Sequence, residues 1–216
     1  MNLNHSSLVV CGTDTGVGKT IISSLLVQGL NGIYWKPIQS GLEDTSDTKI
    51  VSTLLKLPQE RWIPEVYKFK AAVSPHWAAE KENQCIDPSL LKIPSTKTPL
   101  IIETAGGLMV PINRNLLQIN QLKNWGLPII LVARSGLGTL NHTLLSLEAL
   151  KKRLIPIIGI VLNGPPHQDN AKTLEQFGKI PILAHIPHLE DLTASQLQKQ
   201  WNQQKLNIVL KKFKKK

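Results

Sequence analysis

The segment that most constrains this chain is VVCGTDTGVGKTIISSLL, residues 9–26, where an apolar run breaks into glycines, meets a lysine and a threonine, and turns apolar again. A buried strand, a glycine loop and a helix in that order form the setting of a phosphate-cradling loop. Gly12 is separated from Gly18-Lys19-Thr20 by five residues where the common form has four, so the loop is a variant. Lys19 is positioned to neutralise the β- and γ-phosphates, and Thr20 to offer its hydroxyl to Mg²⁺. The amides of Gly16, Val17, Gly18, Lys19 and Thr20, with Ile21 behind them, face an anion at the positive end of the helix. The loop implies a nucleoside triphosphate.

The rest of the chain has to build a sheet around that strand. Short apolar runs recur at 8–11, 32–35, 100–103, 128–133, 157–162 and 181–186, mostly without alternation, as strands buried on both faces require. Helices are expected at 19–30, 140–152, 169–178 and 193–203. Strand and helix in alternation predict an α/β fold with a mainly parallel sheet flanked by helices, the three-layer architecture of a P-loop NTPase. Residues 1–216 read as one such domain with a basic C-terminal tail over about 210–216. The stretch 56–99, with prolines at 58, 64, 75, 88, 94 and 99, reads as an irregular excursion that covers a site.

Charge and cysteine usage narrow the function classes. The formal charge is +10, but five of the lysines fall in the last six residues, leaving a body near +5 that suits an enzyme of anionic nucleotides rather than a nucleic-acid module. Two cysteines without metal-ligand spacing point to a reducing compartment. No secretory pattern opens the chain, and no apolar run reaches the roughly 18 residues of a spanning helix. The expectation is a soluble, cytoplasmic protein without a membrane or nucleic-acid partner.

Four segments together carry a resemblance: GTDTGVGKT (12–20), WKPIQSG (35–41), ETAGGLMVP (103–111) and GLGTLNHTLLSLEAL (136–150). In order and spacing, from residue 8 to about 190, they are similar to the dethiobiotin synthetase family. That resemblance implies ATP-dependent closure of a cyclic urea, making dethiobiotin from 7,8-diaminopelargonic acid and CO₂ through a carbamate and a carbamic-phosphoric anhydride. It makes Lys36 the catalytic lysine beside Lys19, and Ser40 a substrate contact. Glu103 and Thr20 would hold Mg²⁺ with a second carboxylate. Asp47 is offered for that role against Glu43 and Asp44, and an N-cap reading of Asp47 stays open. Thr104, Ala105 and Gly106 would bring backbone close to phosphate. Asn163, with Gly164 beside it, and the segment Pro187-His188-Leu189 resemble the family's adenine contacts. Asn163 is followed by neither the lysine nor the aspartate of a guanine site, so ATP is preferred over GTP. Asn141, read as the N-cap of the helix 140–152, would help receive the substrate's carboxylate tail at a homodimer interface, where His142 packs.

Two other readings share the loop. Amidoligases of the cobyrinate type add a glutamine-hydrolysing domain with a catalytic cysteine, which these 216 residues do not contain. Partitioning-type ATPases place a lysine five residues before the main one, where this chain has Asp14.

Overall fold

The computed structural model describes residues 7–42 and 45–212. Glu43 and Asp44, the competitors for the second carboxylate, lie outside the described residues, as do 213–216 of the basic tail. The elements run β1 (Leu8–Gly12), α1 (Lys19–Gly29), β2 (Ile33–Trp35), β3 (Ile38–Ser40), α2 (Asp47–Leu54), β4 (Trp62–Ile63), β5 (Tyr67–Phe69) and α3 (Pro75–Lys81). They continue as β6 (Leu100–Gly107), β7 (Pro111–Asn113), β8 (Leu116–Leu117), α4 (Gln118–Trp125), β9 (Ile129–Arg134) and α5 (Thr139–Lys152). The last are β10 (Ile157–Asn163), α6 (Asn170–Gly178), β11 (Ile182–Ile186), α7 (Ala194–Gln203) and α8 (Leu206–Lys212).

Seven strands pair in the order β11-β10-β9-β1-β6-β2-β4. Every pairing among them is parallel. Residues that alternate along a strand feed two separate cores. Leu8, Val10, Ile101, Ile130 and Val132 pack with α1, α7 and α8 through Ile22, Leu26, Leu197 and Leu210. Val9, Cys11, Ile102, Leu131 and Ala133 pack with α4, α5 and α6 through Leu122, Leu150 and Leu174 on the opposite face. Because both faces are covered, the strand sequences carry no polar side, which is why they read as continuous apolar runs. The Cys11 thiol, buried in the middle of the sheet, is pushed up to about 12 by desolvation.

The excursion 56–99 is more organised than its prolines suggest. Phe69, Ala78, Ala79, Ile86 and Leu91 gather with Ile38 and Ile112 into a third apolar cluster. Its strand β4 extends the main sheet at β2, and β5 pairs with β3. At the other end, Leu206 and Leu210 of α8 are buried in the core, and the helix runs on to Lys212, within the basic stretch 210–216. Among the described residues no helix is long and apolar enough to cross a membrane.

Candidate active site

Parallel register brings the site together. Tyr34 of β2 pairs with Ile101 of β6, and Trp35 pairs with Ile102. Continuing both strands sets Lys36 beside Glu103, two residues beyond Tyr34 and Ile101 on the same face of the sheet. α1 starts on that face. Its N-cap is Gly18 in a left-handed conformation, φ 96°, with no side chain capping the first turn. A side chain at Gly18 would be strained in backbone and would also meet Asn163 Nδ2 at 2.2 Å. The first-turn amides therefore face the loop interior, and Lys19 Nζ reaches back to the Asp14 carbonyl at 2.9 Å.

The hydroxyl of Thr20 lies 2.7 Å from Asp47 Oδ1 and 2.9 Å from Glu103 Oε1. Lys36 Nζ donates to Asp47 Oδ2 and, at 3.2 Å, to Glu103 Oε1. Tyr34, wholly buried, donates its phenol proton to Glu103 Oε2 at 3.0 Å. Asp47 owes its freedom to its neighbour: Ser46 is the N-cap of α2, its hydroxyl accepting from the Lys49 amide. The capping reading of Asp47 is therefore wrong, and its carboxylate turns inward. The Asp47 amide donates to Gln39 Oε1 at 3.1 Å, which fixes the start of the helix.

These contacts set the charges. Burial by itself would lower the Lys36 pKa, but Glu103 and Asp47 more than offset it and hold the ammonium above its ordinary value. Burial works against the Asp47 carboxylate too, and the Lys36 charge outweighs it, leaving the group below its usual range. Lys19 goes the other way. Desolvation lowers it, and the charge of Glu103 only partly compensates.

Thr20, Asp47 and Glu103 are hard oxygen donors. Octahedral Mg²⁺ with ligands near 2.0–2.1 Å holds adjacent oxygens about 2.9 Å apart, and the Thr20 hydroxyl stands near that spacing from both Asp47 Oδ1 and Glu103 Oε1. The set fits Mg²⁺. Among the described residues no group of three or more His, Cys, Asp or Glu side chains is placed to hold a metal ion, so this site would rest on one hydroxyl and two carboxylates.

A cavity of about 690 Å³ opens over this cluster. Of the residues named from sequence, Gly16, Gly18, Lys19, Thr20, Ile21, Lys36, Ser40, Asp47, Glu103, Ala105 and Gly106 line it. The excursion closes one side through Ala72, Val73, Ser74 and Pro75. Thr104 points the other way, as alternation after Glu103 demands, and its hydroxyl contacts the Val10 carbonyl. Val17 buries its side chain in the core and accepts from Asn163 Nδ2 at 3.1 Å through its carbonyl. Asn163 pairs with Ile186, so Gly164 and Pro187-His188-Leu189 lie together at the ends of β10 and β11. Asn141 does not cap α5. Gly138, at φ 86°, turns the chain earlier, and Asn141 stands exposed on the helix, off the cavity wall. Tyr34, Gln39 and Ser46 are the residues that sequence reasoning missed. The signal for Tyr34 was its two-residue spacing from Lys36.

A buried parallel strand, a glycine-built helix start and a cation–carboxylate cluster at the strand ends define a P-loop nucleotide-using α/β protein. A family model described as an AAA domain matches residues 6–196. The ATP-dependent dethiobiotin synthetase BioD of Rhodopseudomonas palustris (strain BisA53) is 44% identical over 190 residues, covering 88% of this chain and 89% of that protein. The enzyme of the same name from Brucella melitensis biotype 2 is 43% identical over 193 residues, 89% of this chain and 91% of the relative. The biotin biosynthesis bifunctional protein BioCD of Bordetella avium is 50% identical over 196 residues, 90% of this chain, which spans 42% of that longer protein. The chain belongs to the ATP-dependent dethiobiotin synthetase family. Solved structures share the fold at low identity. A ParA family ATPase from Chlorobium tepidum matches with TM-score 0.56 and 16% identity over 100% of this chain and 94% of its own. The Pyrococcus furiosus cell division ATPase MinD matches with TM-score 0.58 and 17% identity over 97% and 99%.

Proposed function

We propose that this chain closes the ureido ring of dethiobiotin from 7,8-diaminopelargonic acid, CO₂ and ATP. The observation that carries the reading is Lys36: a buried ammonium at the strand ends, within the same cavity as Lys19 and paired with the two carboxylates that suit Mg²⁺. One substrate amine attacks CO₂ and forms a carbamate. A carbamate oxygen then attacks the γ-phosphorus of ATP, the bond to the bridging oxygen breaks, and ADP leaves. The second amine attacks the carbonyl carbon of the resulting anhydride, and the C–O bond to phosphate breaks as the ring closes.

Lys19 and the first-turn amides of α1 hold the phosphates in line. Lys36 meets the negative charge shared between carbamate and transferring phosphoryl, where a fixed cation lowers the barrier most. Thr20, Asp47 and Glu103 would hold Mg²⁺, which when bound neutralises charge on the β- and γ-oxygens. Ser40 faces the cavity, and among the described residues its buried hydroxyl has no hydrogen-bond partner, which suits a substrate contact. Asn163 and the segment after β11 take the adenine.

The partners are small molecules and a second copy of the chain, in the cytoplasm, without nucleic acid or membrane. Asn141 stands off the cavity of its own chain, so its contact with the substrate tail belongs to the two-fold pairing. Incubation with diaminopelargonic acid, bicarbonate, Mg²⁺ and ATP should yield dethiobiotin by mass, with one ADP per product. ADP release that does not depend on the diamine overturns the reading.

A further inference from the structure

The phenol of Tyr34 is a puzzle of placement. The residue is wholly buried in the core under α1, where phenylalanine would pack as well, yet its one polar atom is aimed at a carboxylate of the site. Burying a hydroxyl is unfavourable without a partner, and a carboxylate is the strongest acceptor available to it. Glu103 is itself only 1% exposed, and its oxygens are divided. Oε1 meets Thr20 and Lys36, while Oε2 meets Tyr34.

We infer that Tyr34 is a positioning residue for the metal-binding carboxylate: by holding Glu103 Oε2, it fixes the rotation that presents Oε1 to the ion. The inference rests on the reading of Thr20, Asp47 and Glu103 as Mg²⁺ ligands. Without the phenol, Oε2 loses its neutral donor, and Lys36, already bonded to Oε1, is left to draw the carboxylate round. The carboxylate would then turn toward the ammonium and away from Thr20. Hydrogen-bond partners of this kind set metal affinity, and their loss weakens it by about 10–100-fold. Tyr34 is not itself among the residues that line the cavity and reaches it through Glu103, so its effect should appear where the metal does.

The test measures binding rather than turnover. Calorimetry gives the Kd for a non-hydrolysable ATP analogue in EDTA and in Mg²⁺, and the ratio reports how far the metal tightens the nucleotide. Tyr34→Phe keeps the ring volume, and Tyr34→Met serves as a second donor-free variant; circular dichroism checks that both fold. The expected result is an EDTA value near wild type with a Mg²⁺-dependent gain reduced about tenfold, as in Glu103→Gln. An undiminished gain in the Tyr34 variants, with the gain lost in Glu103→Gln, overturns the positioning role and leaves the metal site standing. Equal weakening with and without Mg²⁺ makes Tyr34 a packing residue only. A full gain in Glu103→Gln removes Glu103 from the ligands and the inference with it.

Discussion

Lys19 and Lys36 are both buried lysines on one phosphate site, and their neighbours give them opposite duties. Lys19 donates to the Asp14 carbonyl and the charge of Glu103 offsets its burial only in part, so its charge is best compensated by a bound polyphosphate. Lys36 is neutralised in advance by Asp47 and Glu103. Lys19→Ala should therefore abolish most ATP affinity by calorimetry. Lys36→Gln should leave that affinity largely in place and lower kcat by about a hundredfold, on the order of 3 kcal/mol of transition-state stabilisation. Arginine at 36 should rescue poorly, because its planar fork does not fit the space of an ammonium between two carboxylates. The same pair fixes a pH dependence. Asp47 is depressed in the folded chain, so its contribution to stability is complete above the ordinary carboxylate range and is lost as pH falls through the lowered value. Lys36 is raised, so its contribution is complete below the ordinary lysine value and is lost only as pH rises through the higher one. Thermal melts should be flat near neutrality and fall in acid, and Asp47→Asn should flatten the acid limb.

Helix α2 separates two jobs that its sequence runs together. In TSDTKI, either Ser46 or Asp47 could cap, and only the structure assigns the amide of Lys49 to Ser46. Ser46→Ala should cost about 1 kcal/mol in urea unfolding and leave the Mg²⁺ requirement unchanged. Asp47→Asn should raise the Mg²⁺ requirement of the reaction, measured by titrating product formation. A Ser46→Ala variant that shifts the titration as far as Asp47→Asn would undo this division. The long central strands and the helices over 19–29, 139–152, 170–178 and 194–203 were legible because each buries a continuous or one-sided apolar set. The pairs β3–β5 and β7–β8 were not, since strands of two or three residues exist only through their partners. The loop, Lys36 and Glu103 were visible as polar residues punctuating apolar runs. Tyr34 was hidden because an aromatic inside such a run reads as packing. Asn141 was misplaced because Gly138, rather than a side-chain cap, starts α5.

At the scale of the whole molecule, one face near the phosphate loop is under-covered. Met109 and Leu145 are more than half exposed around a groove of about 430 Å³ that also takes in Thr13 and Asp14. Leu137, on the loop before α5, is almost fully exposed. A two-fold pairing over this face would cover them and bring α5 of one protomer toward its partner's cavity. Light scattering should give twice the chain mass of 24.0 kDa at micromolar concentration, and Leu145→Glu should return it to a single chain. The two cysteines offer a separate readout. Cys85 is exposed, while Cys11 lies in β1 between β6 and β9 with its thiol held up near 12. Alkylating reagents attack thiolates, so the native chain should take one label quickly, and a second only when the centre of the sheet parts. The labelling rate of Cys11 thus meters global opening from inside the molecule, and nucleotide with Mg²⁺ should slow it by as much as ligand binding raises the free energy of that opening.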